Sequence, residues 1–210
     1  ISDRAHIIMP YHTMLDGGEE SSKGKSKIGT TGNGIGPCYS DKASRLGVRM
    51  GDLLDDATIL ERLNKALPRN KALLSHYGVE NDLTVDVLCD MCKSWRNKLK
   101  DMITDTSLLI NNHIVDGANV LLEGAQGVHI DIEYGTYPFV TSSSPTTSGA
   151  ALGSGIAPNK ISEVVGVTKA YLTRVGSGPF PTELDDDIGE LIRDKGQEFG
   201  TTTGRPRRCG

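Results

Sequence analysis

The chain has 210 residues, 37% hydrophobic and 24% charged, with 23 Lys+Arg against 27 Asp+Glu and a formal net charge of -4. That length suits one sizeable core or two small ones. The mild acidity argues against general affinity for nucleic acid or an anionic membrane, while leaving room for a local basic cluster that binds an anion. No run of about 18 apolar residues marks a transmembrane helix.

Residue 1 is Ile, with no basic-then-apolar leader, and Arg207, Arg208, Cys209 and Gly210 stop in mid-pattern, so the expectation is an internal piece of a longer chain. The four cysteines are Cys38, Cys89, Cys92 and Cys209. A chain this long does not depend on disulfide staples, and a reducing, cytoplasmic compartment is expected. Cys89 and Cys92 form a C-x-x-C without a second pair at zinc-like spacing. They read either as half-buried thiols on an amphipathic helix or as a redox or metal motif.

From the N-terminus, residues 3–16 mix apolar and polar positions and predict a short helix broken near Pro10. Residues 17–27 are polar and predict a flexible stretch ending in Lys23, Lys25 and Lys27. Four glycines at 29, 32, 34 and 36 then demand a loop with unusual dihedrals. From 52 to 116 the apolar spacing turns helical. Ile59, Leu60, Leu63 and Leu67 form one helix that Pro68 stops, followed by Leu73, Leu74 and Tyr77 closed by Gly78. Val85 through Ile103 form a long helix with Thr84 as a cap and Trp95 as a core residue, and Leu108 to Val115 form another ended by Gly117. Further on, 119–123 (NVLLE) and 163–174 (EVVGVTKAYLTR) read as buried strands, each running into a glycine-rich loop. Strand then glycine loop, twice, predicts an α/β protein with its ligand at the carboxyl ends of parallel strands.

Several loops carry polar chemistry. The 29–36 glycines let backbone N–H groups face an anion, with Thr30 and Thr31 adding hydroxyls, though a plain tight turn is the alternative and the Walker order is absent. Lys42, Arg45 and Arg49 recur at helical spacing, either as a cationic face for an anion or as a solvated face. In 198–208 (EFGTTTGRPRR), three hydroxyls and three guanidiniums fall within eight residues, suited to carboxylate or phosphate, or else to a basic surface tail. Gln126 at a strand end reads a purine edge or sits in an ordinary turn. His129 and Asp131, two apart, are an acid/base pair or structural groups.

Five blocks in order resemble the adenylosuccinate synthetase family: 28–42 (IGTTGNGIGPCYSDK), 122–127 (LEGAQG), 134–143 (YGTYPFVTSS), 173–183 (TRVGSGPFPTE) and 200–210 (GTTTGRPRRCG). The resemblance spans essentially the whole chain. It implies a mostly parallel central sheet flanked by helices, P-loop-NTPase-like in architecture, with residues 1–210 the central part of a single domain and a helical insertion at about 52–117. It implies GTP-dependent ligation of IMP and L-aspartate in the AMP branch of purine biosynthesis. GTP phosphorylates the purine O6, and the aspartate amine displaces phosphate; the protein's task is positioning and charge stabilisation.

Residue by residue, the resemblance implies IMP contacts from Thr31, Gln126, Thr141, Val175 and Arg205, and from Arg45 reaching into the neighbouring subunit of a homodimer. It implies an aspartate loop of Thr201, Thr202, Thr203, Gly204, Arg205, Pro206 and Arg207, with Arg207 also near GTP. Lys42 is implied as a supporting residue of the catalytic site. Mg²⁺ is implied as cofactor, its ligands expected mostly outside these residues. The family's N-terminal phosphate loop, with its catalytic aspartate and histidine, and its guanine-reading segment have no counterpart here. The expectation is that these 210 residues alone do not turn over. A catalytically silent IMP-binding or dimerisation module is the alternative; a nucleotide kinase fits less well, lacking the Walker order.

Overall fold

The structure, a computed structural model, describes residues 1–24, 27–200 and 204–210. Helix α1 (Pro10–Ser22) starts at Pro10, where a fixed φ and a missing N–H are both compatible with a first helical turn. Pro10 therefore begins the helix instead of breaking it. The polar residues expected to be flexible continue it to Ser22. Gly18 is tolerated within it because the 77–79 segment comes close: a Cβ there would lie 2.8 Å from Val79 Cγ2.

Helix α2 (Ile35–Ala43) is entered through Gly34, whose φ is 76°. A Cβ on Gly34 would meet the α1 backbone at His12 and Thr13 at 2.7 Å, so glycine is required by both handedness and space. The helix ends at Ala43, and Arg45 adopts a left-handed φ of 64°. The cationic face expected from Lys42, Arg45 and Arg49 therefore does not form: only Lys42 lies on the helix, and Arg49 bridges to His6 instead.

Helix α3 (Asp56–His76) is capped by Asp55, which accepts the Thr58 N–H (2.8 Å) and hydroxyl (2.6 Å). It runs through Pro68, which was expected to stop it. Pro68 is exposed, so the missing N–H falls on the solvent side of the helix. Helix α4 (Val85–Leu99) starts at Thr84, whose hydroxyl accepts the Val87 N–H at 3.2 Å as expected; Met102 and Ile103 fall beyond its end. Helix α5 (Thr106–Val115) is capped by Asp105 and followed by Gly117 at φ 81°. The core lies where α1, α3 and α4 meet, around Tyr11, Leu63, Leu74, Leu88 and Cys92, all at 0% exposure, with Trp95 and Cys89 packed against it. Each such apolar side chain contributes roughly 1.5–3 kcal/mol by leaving water.

The remainder holds α6 (Thr147–Ser154), β1 (Thr173–Arg174), α7 (Asp187–Gly196) and β2 (Arg208–Cys209). β1 and β2 pair antiparallel, Thr173 opposite Cys209 and Arg174 opposite Arg208. Two guanidiniums face each other there, and each is satisfied elsewhere. Arg174 donates to the Phe139 carbonyl (2.8 Å), while Arg208 pairs with the Glu183 carboxylate. Residues 119–123 and 163–171, expected as buried strands, form no strand, and Leu121 (89%) and Val167 (95%) are largely exposed. Within the described residues, the β1–β2 ladder is the only sheet.

Candidate functional site

A cavity of about 660 Å³ opens between α1, α2 and three loops: the glycine turn after α1, the 126–142 region and 174–177. Thr31, Gln126, Thr141 and Val175 all line it. Segments far apart in sequence thus meet as the loop chemistry predicted.

The glycine turn takes its shape from left-handed residues: Gly29 at φ 85°, Gly32 at 71° and Gly34 at 76°. It touches the 174–177 loop and Arg205. Ser177 N–H donates to the Ile28 carbonyl (3.4 Å), and a Cβ on Gly29 would lie 3.1 Å from the Gly176 Cα and 3.3 Å from Arg205 Nη2. The Arg205 guanidinium therefore rests against the turn. Its planar fork suits a phosphate or carboxylate delivered there.

Gln126 has a φ of 72°, uncommon for a residue with a Cβ. Its side chain is fixed by two partners: the amide donates to Thr141 Oγ1 (3.1 Å) and the carbonyl accepts from Ser143 Oγ (2.9 Å). A strained backbone and an oriented amide on a cavity wall are the features expected of a group that reads a ligand edge.

Behind the cavity lies a buried polar node that sequence reasoning missed. Asp41, 2% exposed, accepts from His12 Nε2 (3.0 Å), Asn70 Nδ2 (2.9 Å) and Arg69 Nη1 (2.9 Å). The Met9 N–H donates to His12 Nδ1 (3.0 Å), so in the neutral ring Nε2 carries the proton and donates to Asp41. A carboxylate so buried needs partners of this kind. The node places Arg69 and Asn70 on the cavity wall, and Arg174 is a further cation there. Asp16 and Glu20 of α1, also missed, border the same space. A carboxylate on an amphipathic helix reads identically whether it faces solvent or a turn, so only the positions of Asp16 and Glu20, one helical turn apart, carried any signal.

The other residues singled out from the sequence lie outside the cavity lining. Lys42 is exposed, with Nζ 5.3 Å from the centre of the Tyr39 ring. Arg45 is exposed at its left-handed position beyond α2. Thr201, Thr202 and Thr203 lie outside the described residues. Gly204 follows them at φ 62°, and Pro206 bridges to Phe199. Arg207 donates to Glu198 Oε2 at 2.6 Å, and Lys169 Nζ (2.8 Å) and Tyr171 (2.7 Å) donate to the same carboxylate. Burial alone would raise the Glu198 pKa, but these three hydrogen bonds together outweigh it and bring it down to about 2.

His129 and Asp131 do not pair. Asp131 is buried and accepts the Glu133 and Tyr134 N–H groups, a structural role. Burial pushes the thiols of Cys38 and Cys92 up to about 11 and also raises that of Cys89, which disfavours the reactive thiolate. Among the described residues no group of three or more His, Cys, Asp and Glu is placed to hold a metal ion. Nor is any helix among them long and apolar enough to cross a membrane.

Fold and site together define a protein with a cavity of nucleotide size, walled by a glycine turn and by both acidic and cationic side chains. Comparison with known proteins gives the family. The model of adenylosuccinate synthetase matches residues 1–210, and the chain belongs to that family. It is 54% identical over 211 residues to the adenylosuccinate synthetase of Heliobacterium modesticaldum, covering 100% of this chain and 49% of the relative. The same identity and coverage hold for the enzyme of Listeria innocua. A solved structure described as fully ligated adenylosuccinate synthetase from Plasmodium falciparum is 43% identical and matches with a TM-score of 0.91, over 100% of this chain and 49% of that one. The fold is therefore the α/β fold of this family. The chain spans about half the length of the relatives it matches.

Proposed function

We propose that this chain forms the IMP-binding part of an adenylosuccinate synthetase, a GTP-dependent ligase joining IMP and L-aspartate. In the reaction, the γ-phosphoryl group of GTP passes to the purine O6, leaving GDP and 6-phosphoryl-IMP. The aspartate amine then forms a bond to C6 and the C6–O bond breaks, releasing phosphate and giving adenylosuccinate. Phosphorylation turns an amide-like oxygen into a leaving group, so the residues here have only to hold and orient.

The observation that carries this reading is convergence: the glycine turn with Thr31, the fixed amide of Gln126 with Thr141, and Val175 all meet at one cavity, with Arg205 against the turn. In the proposed arrangement Thr31 and the turn hold the 5′-phosphate, Gln126 reads the hypoxanthine edge, Thr141 supports the phosphate side and the Val175 backbone borders the ribose. Arg205 clamps substrate, and the aspartate loop that includes Gly204 and Pro206 closes beside it. Arg207, released from Glu198, would serve aspartate and GTP. Arg45, outside the cavity, is proposed to reach the site of a second copy in a homodimer, and Lys42 to support the site from α2. Mg²⁺ and GTP are proposed to act with the complete protein, and no step here is routed through the metal.

The test is adenylosuccinate formation from IMP, GTP and aspartate by the complete protein containing this chain, with IMP binding followed by calorimetry. Gln126→Ala is expected to weaken IMP binding by at least about tenfold, the equivalent of roughly one good hydrogen bond to the base. Unchanged affinity would remove Gln126 from the base site, and absence of product would remove the ligase assignment. Because the chain spans half of its relatives, a second reading remains specific: IMP binding by the 210 residues without turnover, which the same two measurements separate.

A further inference from the structure

The glycine turn was expected to offer its N–H groups to an anion, yet carboxylates already hold several of its donors. Glu20 Oε2 accepts the Gly29 N–H at 2.9 Å, and Oε1 accepts the Ile28 N–H at 3.4 Å. One turn earlier on α1, Asp16 Oδ1 accepts the Thr30 hydroxyl at 2.7 Å, and Oδ2 accepts the Gly34 N–H at 2.9 Å. The two acids therefore grip both ends of the turn and one hydroxyl within it. Of the two adjacent threonines, Thr30 is committed to Asp16. Thr31 is exposed, and among the described residues its hydroxyl accepts the Asn33 amide at 3.2 Å.

Two carboxylates behind a phosphate site oppose the ligand's charge, so their presence calls for a compensating geometric role. That role is visible in the turn. Its left-handed glycines at 29, 32 and 34 leave the backbone freer than any other residue would, and charge-assisted hydrogen bonds are the strong kind needed to restrain it. We propose that Asp16 and Glu20 are positioning residues that clamp the 28–34 turn from behind and so present Thr31 to the nucleotide phosphate. The proposal rests on the IMP reading above.

Asp16 is 5% exposed, and replacing it endangers the fold, so Glu20 at the cavity edge carries the test. In the full chain, Glu20→Gln keeps the shape but replaces one accepting oxygen with a donor. Glu61→Gln is the control: it removes an equal charge at an exposed position on α3, where Glu61 pairs with Lys65 away from the cavity and the turn. The readouts are amide hydrogen exchange at Gly29 without ligand, and the KM for IMP against kcat.

Glu20→Gln is expected to speed exchange at Gly29 about tenfold and to raise the IMP KM about tenfold, each the equivalent of one charge-assisted hydrogen bond. kcat should stay within about twofold, because the chemistry is untouched, and Glu61→Gln should leave all three values alone. Unchanged exchange at Gly29 would overturn the clamp. Faster exchange with an unchanged KM would overturn its role in binding, and equal effects from both variants would reduce it to bulk charge. If the unaltered protein does not bind IMP, the nucleotide reading fails, while the exchange measurement still decides the clamp.

Discussion

Glu198 keeps a carboxylate at 4% exposure by giving it three donors, and the consequence is a pH signature. Its pKa in the folded chain is about 2 against an ordinary 4.5, so the folded state holds the ionised form more strongly than the unfolded one. The stabilisation is complete above about pH 4.5 and is lost as pH falls towards 2. Since Lys169 and Arg207 remain partly in water, the contribution is modest, about 1–2 kcal/mol. Glu198→Gln is expected to lower stability by that amount at pH 7, and the two proteins should converge near pH 2. Urea unfolding across that range measures it; parallel curves would show that the network adds nothing. Residues of this kind divide sharply by legibility. Thr31 and Gln126 could be picked from the sequence because they sit in glycine-rich loops, where side chains have little structural reason to be polar, whereas Thr141 and Val175 came only from the family resemblance. Asp16, Glu20, Asp41 and Glu198 could not, because an acid's role depends on which donors the fold brings to it.

Helix boundaries follow the same division. Thr84 and Gly117 mark ends in the sequence because a cap is a local transaction between a side chain or a left-handed residue and the adjacent backbone. Pro68 misleads because its effect depends on orientation, which local sequence does not specify. In α3 it faces solvent, while Leu63, Leu67 and Leu74 bury the opposite side and hold the helix together across it. The missing hydrogen bond remains a real deficit. Pro68→Ala should restore an N–H for the Asn64 carbonyl and raise stability by about 1–3 kcal/mol, the usual penalty of proline within a helix. The urea midpoint should rise at constant slope. A fall would mean that the packing of α3 on α4 depends on the proline.

At the scale of the whole molecule the sheet was the least legible part. The apolar run at 119–123 and the β-branched run at 163–171 have strand composition, but a strand exists only when a neighbour supplies its hydrogen bonds, and composition does not name the neighbour. Thr173 and Arg174 find one in Arg208 and Cys209, and Leu172 exchanges backbone hydrogen bonds with Gly210. The rest leaves Val120, Leu121, Val164, Val165 and Val167 at the surface, Leu121 at 89% and Val167 at 95% exposure. Apolar surface of this kind favours association, and backbone without a ladder partner adds a template for it. The 210-residue chain on its own is therefore expected to self-associate as its concentration rises. Leu121→Lys combined with Val167→Lys should reduce that association, since a cation at an exposed edge disfavours pairing with a second copy. Neither side chain contributes to the α1–α3–α4 core, so thermal stability should change by less than about 0.5 kcal/mol. Sedimentation velocity over a concentration series distinguishes the outcomes: a shift towards monomer in the double variant supports these runs as the contact, and an unchanged distribution places it elsewhere on the molecule.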